Sequence, residues 1–269
     1  MTNDHALWTH LPRRASLGAV DPVTPETWER FRAVLFDLDG VVTPTAVVHM
    51  RAWSEMFNAY LGEHAPDQPP YTDRDYYDHV DGKPRYDGVR DFLASRGISL
   101  AEGNSDDPPT ANTVRGLGNR KNDAFNAVLE RDGVEAYPGS VAFLDHLRDL
   151  RVPLAVVSSS ANAPAVLEAA GLLDRFTTVV SGAVAEEQHL RGKPAPDTFL
   201  YAARVLGAEP SEAVVLEDAV SGVRAGAAGH FAVVVGVDRG AGHDALAAAG
   251  ASVVVSDLAE LLPRSKDVA

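Results

Sequence analysis

Residues 32–40 read RAVLFDLDG, an apolar run that ends in two carboxylates and a glycine. The apolar part is typical of an inner strand of a sheet. Because side chains alternate along an extended backbone, Asp37 and Asp39 lie on the same side and repel each other. Paired, desolvated carboxylates usually occur where a cation or a shared proton relieves this repulsion. The stretch therefore predicts a charged functional site at the end of a buried strand.

Five further apolar, β-branched runs follow from about residue 136 and predict more strands. They are VPLAVVSSS (152–160), FTTVVSG (176–182), AVVLED (213–218), FAVVVGV (231–237) and ASVVVSD (251–257). Segments with helical spacing and capping residues at their ends separate most of these runs. Continuous apolar strands that alternate with helices predict an α/β fold in which a parallel sheet is covered on both faces.

Residues 46–134 have a different pattern, which predicts a mainly helical insertion after the first strand. Predicted helices cover 47–61, 87–97 and 122–133, and polar, proline-bearing loops cover 62–75 and 99–112. We therefore divide the chain into an N-terminal arm (1–30), an α/β core (31–45 and 135–269) and a helical cap (46–134). The end of the chain, residues 263–269, is expected to fray.

Composition and charge exclude several classes of function. The chain has 269 residues, no cysteine and a net charge of −14. Without cysteine there are no disulfides, thiolate nucleophiles or cysteine-ligated zinc. The acidic balance argues against binding to nucleic acids or anionic membranes, and no apolar run approaches the roughly 20 residues of a membrane span. The N-terminus lacks the pattern of a signal peptide, so we expect a cytoplasmic protein.

Polar residues at other strand ends point to the same edge of the sheet as Asp37, because functional groups of parallel sheets gather at the carboxyl ends of the strands. The run Ser158–Ser160 ends the second predicted strand, and Glu217 and Asp218 end the fourth. Lys193 precedes a predicted helix. Each feature alone has an ordinary explanation, such as a helix cap or a surface lysine. Together they favour a site where carboxylates bind Mg²⁺, which in turn binds a substrate phosphate.

The order of these motifs resembles the haloacid dehalogenase superfamily of phosphoryl-transfer enzymes. FDLDG, the serine cluster, the lysine of KP and LED match its four motifs across residues 32–240. The segments FDLDGVVTPTAVVHMRAW, RKNDAF, YPGS, SSSAN, KPAPDTFL and LEDAVSGVRAG further resemble the β-phosphoglucomutase subfamily. The resemblance implies a Rossmann-like core with an inserted helical cap, Mg²⁺ as cofactor and a small phosphorylated sugar as substrate. We expect a monomer with no nucleic-acid or membrane partner.

The resemblance also implies a role for each core motif. Asp37 is the implied nucleophile, which forms an aspartyl phosphate, and Asp39 is the implied general acid/base. Ser158 would hydrogen-bond the transferring phosphoryl group, and Lys193 would offset its charge. The implied metal site consists of Asp37, the backbone carbonyl of Asp39, and Asp218, with Glu217 adjacent.

The helical cap is implied to close over the substrate and to exclude water. Thr45 and His49 match positions that steer Asp39 and cap closure, although His49 could instead be a packed core histidine. Arg85, with Gly82 in its loop, matches an arginine that binds the non-reacting phosphate. Lys121 matches a lysine that faces the site; surface charge is the other explanation for both Arg85 and Lys121. The remaining implied substrate-binding residues are Ser159, Ser160 and Asn162.

Several positions depart from the subfamily pattern. Asp81 stands where a lysine is usual before the cap glycine, and Lys83 follows two residues later. Gly88 replaces a serine, Ala161 replaces a lysine, and Pro44 replaces an aspartate. These positions concern substrate recognition rather than phosphoryl transfer.

Three functions follow as hypotheses. The first is a phosphomutase that interconverts β-D-glucose 1-phosphate and glucose 6-phosphate through a bisphosphate. The second is a sugar-phosphate phosphatase, in which the same residues use water as the acceptor. The third is a non-catalytic sugar-phosphate sensor on the same fold, against which the intact aspartate, lysine and LED motifs argue.

Overall fold

The computed structural model describes residues 25–263, and its centre is a six-stranded parallel sheet. The strands are β1 (Ala33–Phe36), β2 (Leu154–Val157), β3 (Thr178–Val180), β4 (Ala213–Glu217), β5 (Val233–Val237) and β6 (Val253–Val255). Their spatial order is β3-β2-β1-β4-β5-β6, with every neighbouring pair parallel. The predicted α/β fold is therefore confirmed. The same order puts β1 and β4 side by side at the centre of the sheet.

The central strands are apolar throughout because both faces of the sheet are covered. Every residue of β1 is buried. Val34 and Phe36 pack into one apolar cluster, whereas Ala33 and Leu35 pack into a second cluster on the opposite face. A strand that is buried on both faces carries a continuous apolar run rather than an alternating one, which is the pattern in the sequence.

The segment between β1 and β2 is helical and has its own apolar cluster. Its helices are α1 (Thr45–His64), α2 (Asp73–Asp75), a π-helical turn (Tyr76–Val80), α3 (Arg85–Ser95) and α4 (Val114–Asp132). Trp53, Phe57, Phe92 and Leu117 are among the side chains of the cluster. None of the cluster's buried residues belongs to the two clusters at the sheet. The name cap is kept below for residues 46–134.

Helix α4 begins eight residues before the start that the sequence predicts. Two glycines in GLGN hide the start of this helix, since glycine is a poor helix former. A side chain on Gly118 would collide with the ring of Tyr86, so glycine allows α3 and α4 to pack closely. Thr113 caps the new start by accepting a hydrogen bond from Gly116 N at 2.9 Å.

The remaining helices flank the sheet. They are α5 (Pro138–Asp149), α6 (Ala163–Ala169), α7 (Gly182–Glu187), α8 (Asp197–Val205), α9 (Val220–Ala228) and α10 (His243–Ala249). Short 3₁₀ turns occur at 25–30, 173–175, 210–212 and 258–261. No helix within residues 25–263 has the length and apolarity to cross a bilayer.

Residues 25–30 belong to the predicted N-terminal arm, and Trp28 among them packs against the core. They form a 3₁₀ turn in which Trp28 is fully buried. Its indole N–H donates to Leu261 O at 3.2 Å, and its ring meets Phe143 edge-on at 4.8 Å. A single tryptophan in a polar stretch has no periodicity that would reveal this contact. The rest of the predicted arm, and residues 264–269 at the predicted frayed end, lie outside the described residues.

Candidate active site

The pairing of β1 with β4 brings the first and last acidic motifs together. β1 ends at Phe36, and the amide of Asp37 donates to Leu216 O at 2.9 Å, which continues the ladder by one residue. Asp37 therefore lies beside Glu217, the last residue of β4. Asp218 follows directly. The three carboxylates thus share the carboxyl edge of the sheet, where parallel sheets carry their functional sites.

Lys193 is buried between two of these carboxylates. Its Nζ atom donates to Asp37 Oδ1 and to Glu217 Oε1, both at 2.5 Å, and to Val157 O at 3.0 Å. Burial alone would lower the pKa of this lysine, but Asp37 and Glu217 outweigh it and raise the pKa above its usual value. Lys193 is therefore a charged member of the cluster and not a surface lysine.

Asp37, Glu217 and Asp218 form a group that could hold a metal ion. One oxygen from each carboxylate lies within 4.8 Å of the others. Burial and the neighbouring carboxylates raise the pKa of Asp37 and of Asp218 well above the usual range, although Lys193 opposes the effect at Asp37. The single positive charge of Lys193 does not neutralise the negative charge of three buried carboxylates. An all-oxygen, acidic donor set fits a hard divalent cation.

Gly40 is required where the chain turns past this group. It has a φ of 86°, in the region that favours glycine. A side chain at this position would collide with the Asp218 carboxylate. The glycine of FDLDG therefore lets the backbone pass directly beside the acidic group.

The carboxylate of Asp39 has different partners from those of Asp37. Thr45 Oγ1 donates to Asp39 Oδ1 at 2.5 Å, and Ser158 Oγ donates to Oδ2 at 3.3 Å. His49 Nε2 lies 3.2 Å from Oδ1 without the alignment of a hydrogen bond. Burial would raise the pKa of Asp39, but His49, Thr45 and Lys121 outweigh it and lower the pKa to about 2. Asp39 is therefore ionised at neutral pH, and its carboxylate is not part of the acidic group at Asp218.

His49 and Lys121 form a buried pair behind Asp39. Lys121 Nζ hydrogen-bonds His49 Nδ1, and the imidazole stacks on Phe125 at 4.0 Å. Burial and Lys121 lower the pKa of His49, and burial and Arg85 lower the pKa of Lys121 to about 7. A neutral imidazole that accepts at Nδ1 presents its Nε2 proton to Asp39. Lys121 is only 5% exposed, so it is not a surface charge.

Hydrogen bonds between the cap and the core surround the pocket. Ser159 Oγ donates to Gly82 O at 2.7 Å. Arg85 of the cap and Asn162 of the core both donate to Asn122 Oδ1, at 2.7 and 2.8 Å. Asn122 is a residue that the sequence did not single out. It follows Lys121 in a helix, and no local pattern distinguishes it from a surface asparagine.

The pocket between cap and core has a volume of about 70 Å³. All of the residues implied at the site line it except Thr45, Ser158, Lys193 and Glu217; of these, Ser158 and Lys193 line an adjoining pocket. Ligand pockets usually measure roughly 300–1,000 Å³, so the space at this site is small.

Asp81 gives the cap side of the pocket a carboxylate. Burial and Glu217 raise the pKa of Asp81 to about 7. Lys83, the nearest lysine in the sequence, donates to Asp91 at 2.7 Å. Lys83 is thus paired with a carboxylate of α3, the helix that follows it, and does not restore the charge of the lysine that Asp81 replaces.

Removing Lys193 should destabilise the protein strongly. In Lys193→Met, two buried carboxylates lose their shared partner, and breaking a buried pair in this way typically costs about 3–5 kcal/mol. We expect a loss of this size in the free energy of unfolding, measured with urea without added metal. Lys83→Met, which removes a partly exposed pair, should cost less than about 1 kcal/mol. Equal losses in the two variants would contradict the described cluster.

A family model for haloacid dehalogenase-like hydrolases matches residues 31–230. The chain belongs to this family. It is 52% identical over 247 residues to a β-phosphoglucomutase of Mycobacterium bovis, which covers 87% of this chain and 92% of the relative. The family assignment agrees with the motif order, and it makes the protein an enzyme of the haloacid dehalogenase type.

Two further comparisons concern another curated relative and a solved structure. It is 33% identical to a fructose-1-phosphate phosphatase of Escherichia coli, over 77% of this chain and 98% of that protein. A crystal structure of β-phosphoglucomutase from Clostridium difficile superposes with a TM-score of 0.70 at 23% identity, over 86% of this chain and 93% of that one. At that identity the structure shows the shared fold. Both mutases and phosphatases thus occur among its relatives.

Proposed function

We propose that this protein is a Mg²⁺-dependent β-phosphoglucomutase that interconverts β-D-glucose 1-phosphate and glucose 6-phosphate through an aspartyl phosphate. The observation that carries the proposal is the contact of Asp39 with α1: Thr45 donates a hydrogen bond to its carboxylate, and His49 Nε2 lies 3.2 Å from it. An acid/base group tied to the first helix of the cap meets a substrate hydroxyl when the cap is closed. The mycobacterial relative supports the same conclusion.

Asp37 and Asp39 divide the chemistry between them. On the phosphorylated enzyme, a sugar hydroxyl gives its proton to ionised Asp39, whose pKa of about 2 leaves it ready to accept, and attacks the aspartyl phosphate, whose bond to Asp37 breaks. In the second half of the reaction a carboxylate oxygen of Asp37 attacks the other phosphorus of the sugar bisphosphate, and the bond from phosphorus to the sugar oxygen breaks. Asp39 then returns its proton to the leaving sugar oxygen.

The remaining core residues orient the group in transfer. Lys193, held at Asp37 Oδ1, offsets negative charge, and Ser158 is positioned beside Asp39 to donate to a phosphoryl oxygen. Mg²⁺, held by Asp37, Asp218 and the backbone carbonyl of Asp39 with Glu217 adjacent, would neutralise charge on the phosphoryl group.

The cap residues are proposed to bind the rest of the substrate. Arg85 and Lys121 bring positive charge to the pocket, and Ser160 and Asn162 bring polar groups from the core. They would bind the non-reacting phosphate of a sugar bisphosphate. Because the pocket is small as it stands, we propose that the cap opens for the sugar to enter and to turn over.

A sugar-phosphate phosphatase is the second candidate. The Escherichia coli relative is a phosphatase, and Ala161 stands where the subfamily has a lysine that helps to bind a distal phosphate. Weaker binding of the distal phosphate would favour water over a sugar hydroxyl as the acceptor. A non-catalytic sensor is a poorer account, since it would have no need of the Asp37–Lys193 pair.

The ratio of glucose 6-phosphate to inorganic phosphate tests the proposal. With β-glucose 1-phosphate, Mg²⁺ and a trace of bisphosphate, the protein should form chiefly glucose 6-phosphate. Coupled assays of both products measure the ratio. Chiefly inorganic phosphate from the unmutated protein would favour the phosphatase instead.

His49→Ala should slow isomerisation far more than it slows phosphate release, because His49 couples Asp39 to the cap. Asp39→Ala should suppress both reactions, by roughly 10²–10⁴-fold, the usual contribution of a general acid/base. His243→Ala, at an exposed histidine of α10, is the matched control and should leave the ratio unchanged. Equal slowing of both reactions in His49→Ala would contradict the proposed coupling.

A further inference from the structure

Two linkers join the cap to the core, residues 37–44 between β1 and α1, and residues 133–137 between α4 and α5. The linkers touch each other directly. Tyr137 N donates to Val42 O at 3.0 Å, and Ser140 Oγ, at the start of α5, donates to Val41 O at 2.6 Å. Any opening of the cap must pass through this paired hinge.

Arg239 contacts both linkers from the core. It lies two residues beyond β5, and its Nε atom donates to Gly40 O in the first linker at 3.0 Å. Its guanidinium lies 3.9 Å above the ring of Tyr137 in the second linker. A cation over an aromatic face at this distance is a favourable contact. One side chain therefore spans the two segments by which the cap is attached.

The other end of the Arg239 guanidinium is fixed to the sheet. Nη1 donates to Ser256 O at 2.8 Å, and Nη2 donates to Asp257 Oδ2 at 3.4 Å, just beyond β6. The preceding residue, Asp238, accepts from the amides of Gly240 and Gly242, both at 3.0 Å, which fixes the loop that carries the arginine. Arg239 thus connects the hinge to the ends of strands β5 and β6.

Gly40 links this arrangement to the chemistry. It follows Asp39 and packs against the Asp218 carboxylate with no room for a side chain. A shift of the Gly40 turn therefore moves Asp39 relative to Thr45 and His49. We propose that Arg239 is a positioning residue that clamps the two linkers together and so keeps Asp39 aligned when the cap is closed. The catalytic part of this inference rests on the proposed function, whereas the clamp itself does not.

The proposed clamp requires an arginine at position 239, because a positive charge alone does not make all of its contacts. A planar guanidinium with a fork of donors can stack on Tyr137 while it donates to Gly40 and Ser256. A lysine ammonium is a point charge and cannot make these contacts together. Arg239→Lys should therefore behave like Arg239→Ala, and Tyr137→Phe, which keeps the ring, should behave like the unmutated protein.

Amide hydrogen exchange tests the clamp independently of activity. In Arg239→Ala, exchange should become faster in 38–44 and 133–140 and stay unchanged in β2 and α6. Arg204→Ala is the matched control, because its guanidinium lies over the Tyr201 ring at 5.1 Å on α8 and touches neither linker. Unchanged exchange in both linkers would overturn the clamp. If Arg239→Ala does not fold, the same measurement is made on Tyr137→Leu, which removes the stacking alone. Faster exchange in 38–44 would then support the clamp, and unchanged exchange there would overturn it.

Product formation tests the positioning role. Arg239 is proposed to align Asp39 only when the cap is closed over a sugar, so Arg239→Ala should lower glucose 6-phosphate formation about tenfold, a fraction of the usual general-base contribution. Asp39 itself remains in this variant and can still serve water when the cap is open, so phosphate release should change little. Equal falls in both products would mean a merely structural role and would overturn the inference about Asp39. If the unmutated protein makes no glucose 6-phosphate, the proposed function and the positioning role that rests on it both fail. The exchange result still decides the clamp.

Discussion

Asp37→Asn should abolish turnover and leave the fold intact. The amide has the shape of the carboxylate but does not attack phosphorus, so the covalent step is lost. Removal of a nucleophile of this kind costs roughly 10⁴-fold or more in kcat. The variant should remain folded, because Lys193 keeps its ion pair with Glu217 and one of the crowded carboxylates is gone.

The measurement is turnover of β-glucose 1-phosphate, with the fold checked by circular dichroism and thermal unfolding. Asp197→Asn is the matched control, since it makes the same change in a surface pair with Arg191. Its activity should equal that of the unmutated protein. Appreciable activity in a folded, uncontaminated Asp37→Asn sample would rule out Asp37 as the nucleophile.

Removal of divalent metal should be almost as damaging. Without a cation, Asp37, Glu217 and Asp218 share one lysine, and their mutual repulsion is relieved by bound protons instead. A metal at a phosphoryl group supplies several kcal/mol of charge stabilisation, which corresponds to roughly 10²–10⁴-fold in rate. EDTA should therefore abolish measurable activity, and added Mg²⁺ should restore it.

Thermal unfolding gives a second measure of the same site. If Mg²⁺ binds the folded state as proposed, it should raise the midpoint of unfolding by an amount that grows with its affinity. Asp218→Asn should reduce this shift, whereas Asp244→Asn, at an exposed acidic residue of α10, should not. Activity that survives thorough chelation would contradict the metal site.

The sheet and its catalytic edge were predictable because the relevant signals are local. All six strands lie within apolar runs that the sequence identifies, and a parallel sheet brings their carboxyl ends to one edge. The crowding at Asp37 follows from the DLD spacing and from the position of Glu217 at the end of β4. Lys193 lies in a loop rather than at a strand end, so its place in the cluster is less directly indicated by the strand pattern and is supported by the family resemblance.

Long-range contacts account for what the sequence did not reveal. Trp28, Asn122 and Arg239 all act through partners that are distant along the chain. Trp28 and Arg239 lie in no recognised motif, and Asn122, although it lies within RKNDAF, has no feature that identifies its partners. The short distance between Lys121 and His49 likewise depends on how α4 packs against α1. Glycines that serve packing, such as Gly118, look like helix breakers in the sequence and conceal the start of α4.

The charge of the cap loop bears on which sugar phosphate the protein accepts. Asp81 faces the pocket where the subfamily has a lysine, and Lys83 is engaged by Asp91. We therefore propose that the cap attracts a phosphate chiefly through Arg85 and Lys121. On this proposal, recognition of the sugar depends on these two residues, while phosphoryl transfer depends on the core motifs.

The most direct test of the proposed mutase is phosphorus NMR in water enriched in oxygen-18, with β-glucose 1-phosphate, Mg²⁺ and a trace of bisphosphate. A phosphoryl group that passes from Asp37 to a sugar hydroxyl never meets water. We expect glucose 6-phosphate as the main product, with no oxygen-18 in its phosphate. Inorganic phosphate that carries oxygen-18 as the main product would contradict it, because water would then be the acceptor of the aspartyl phosphate.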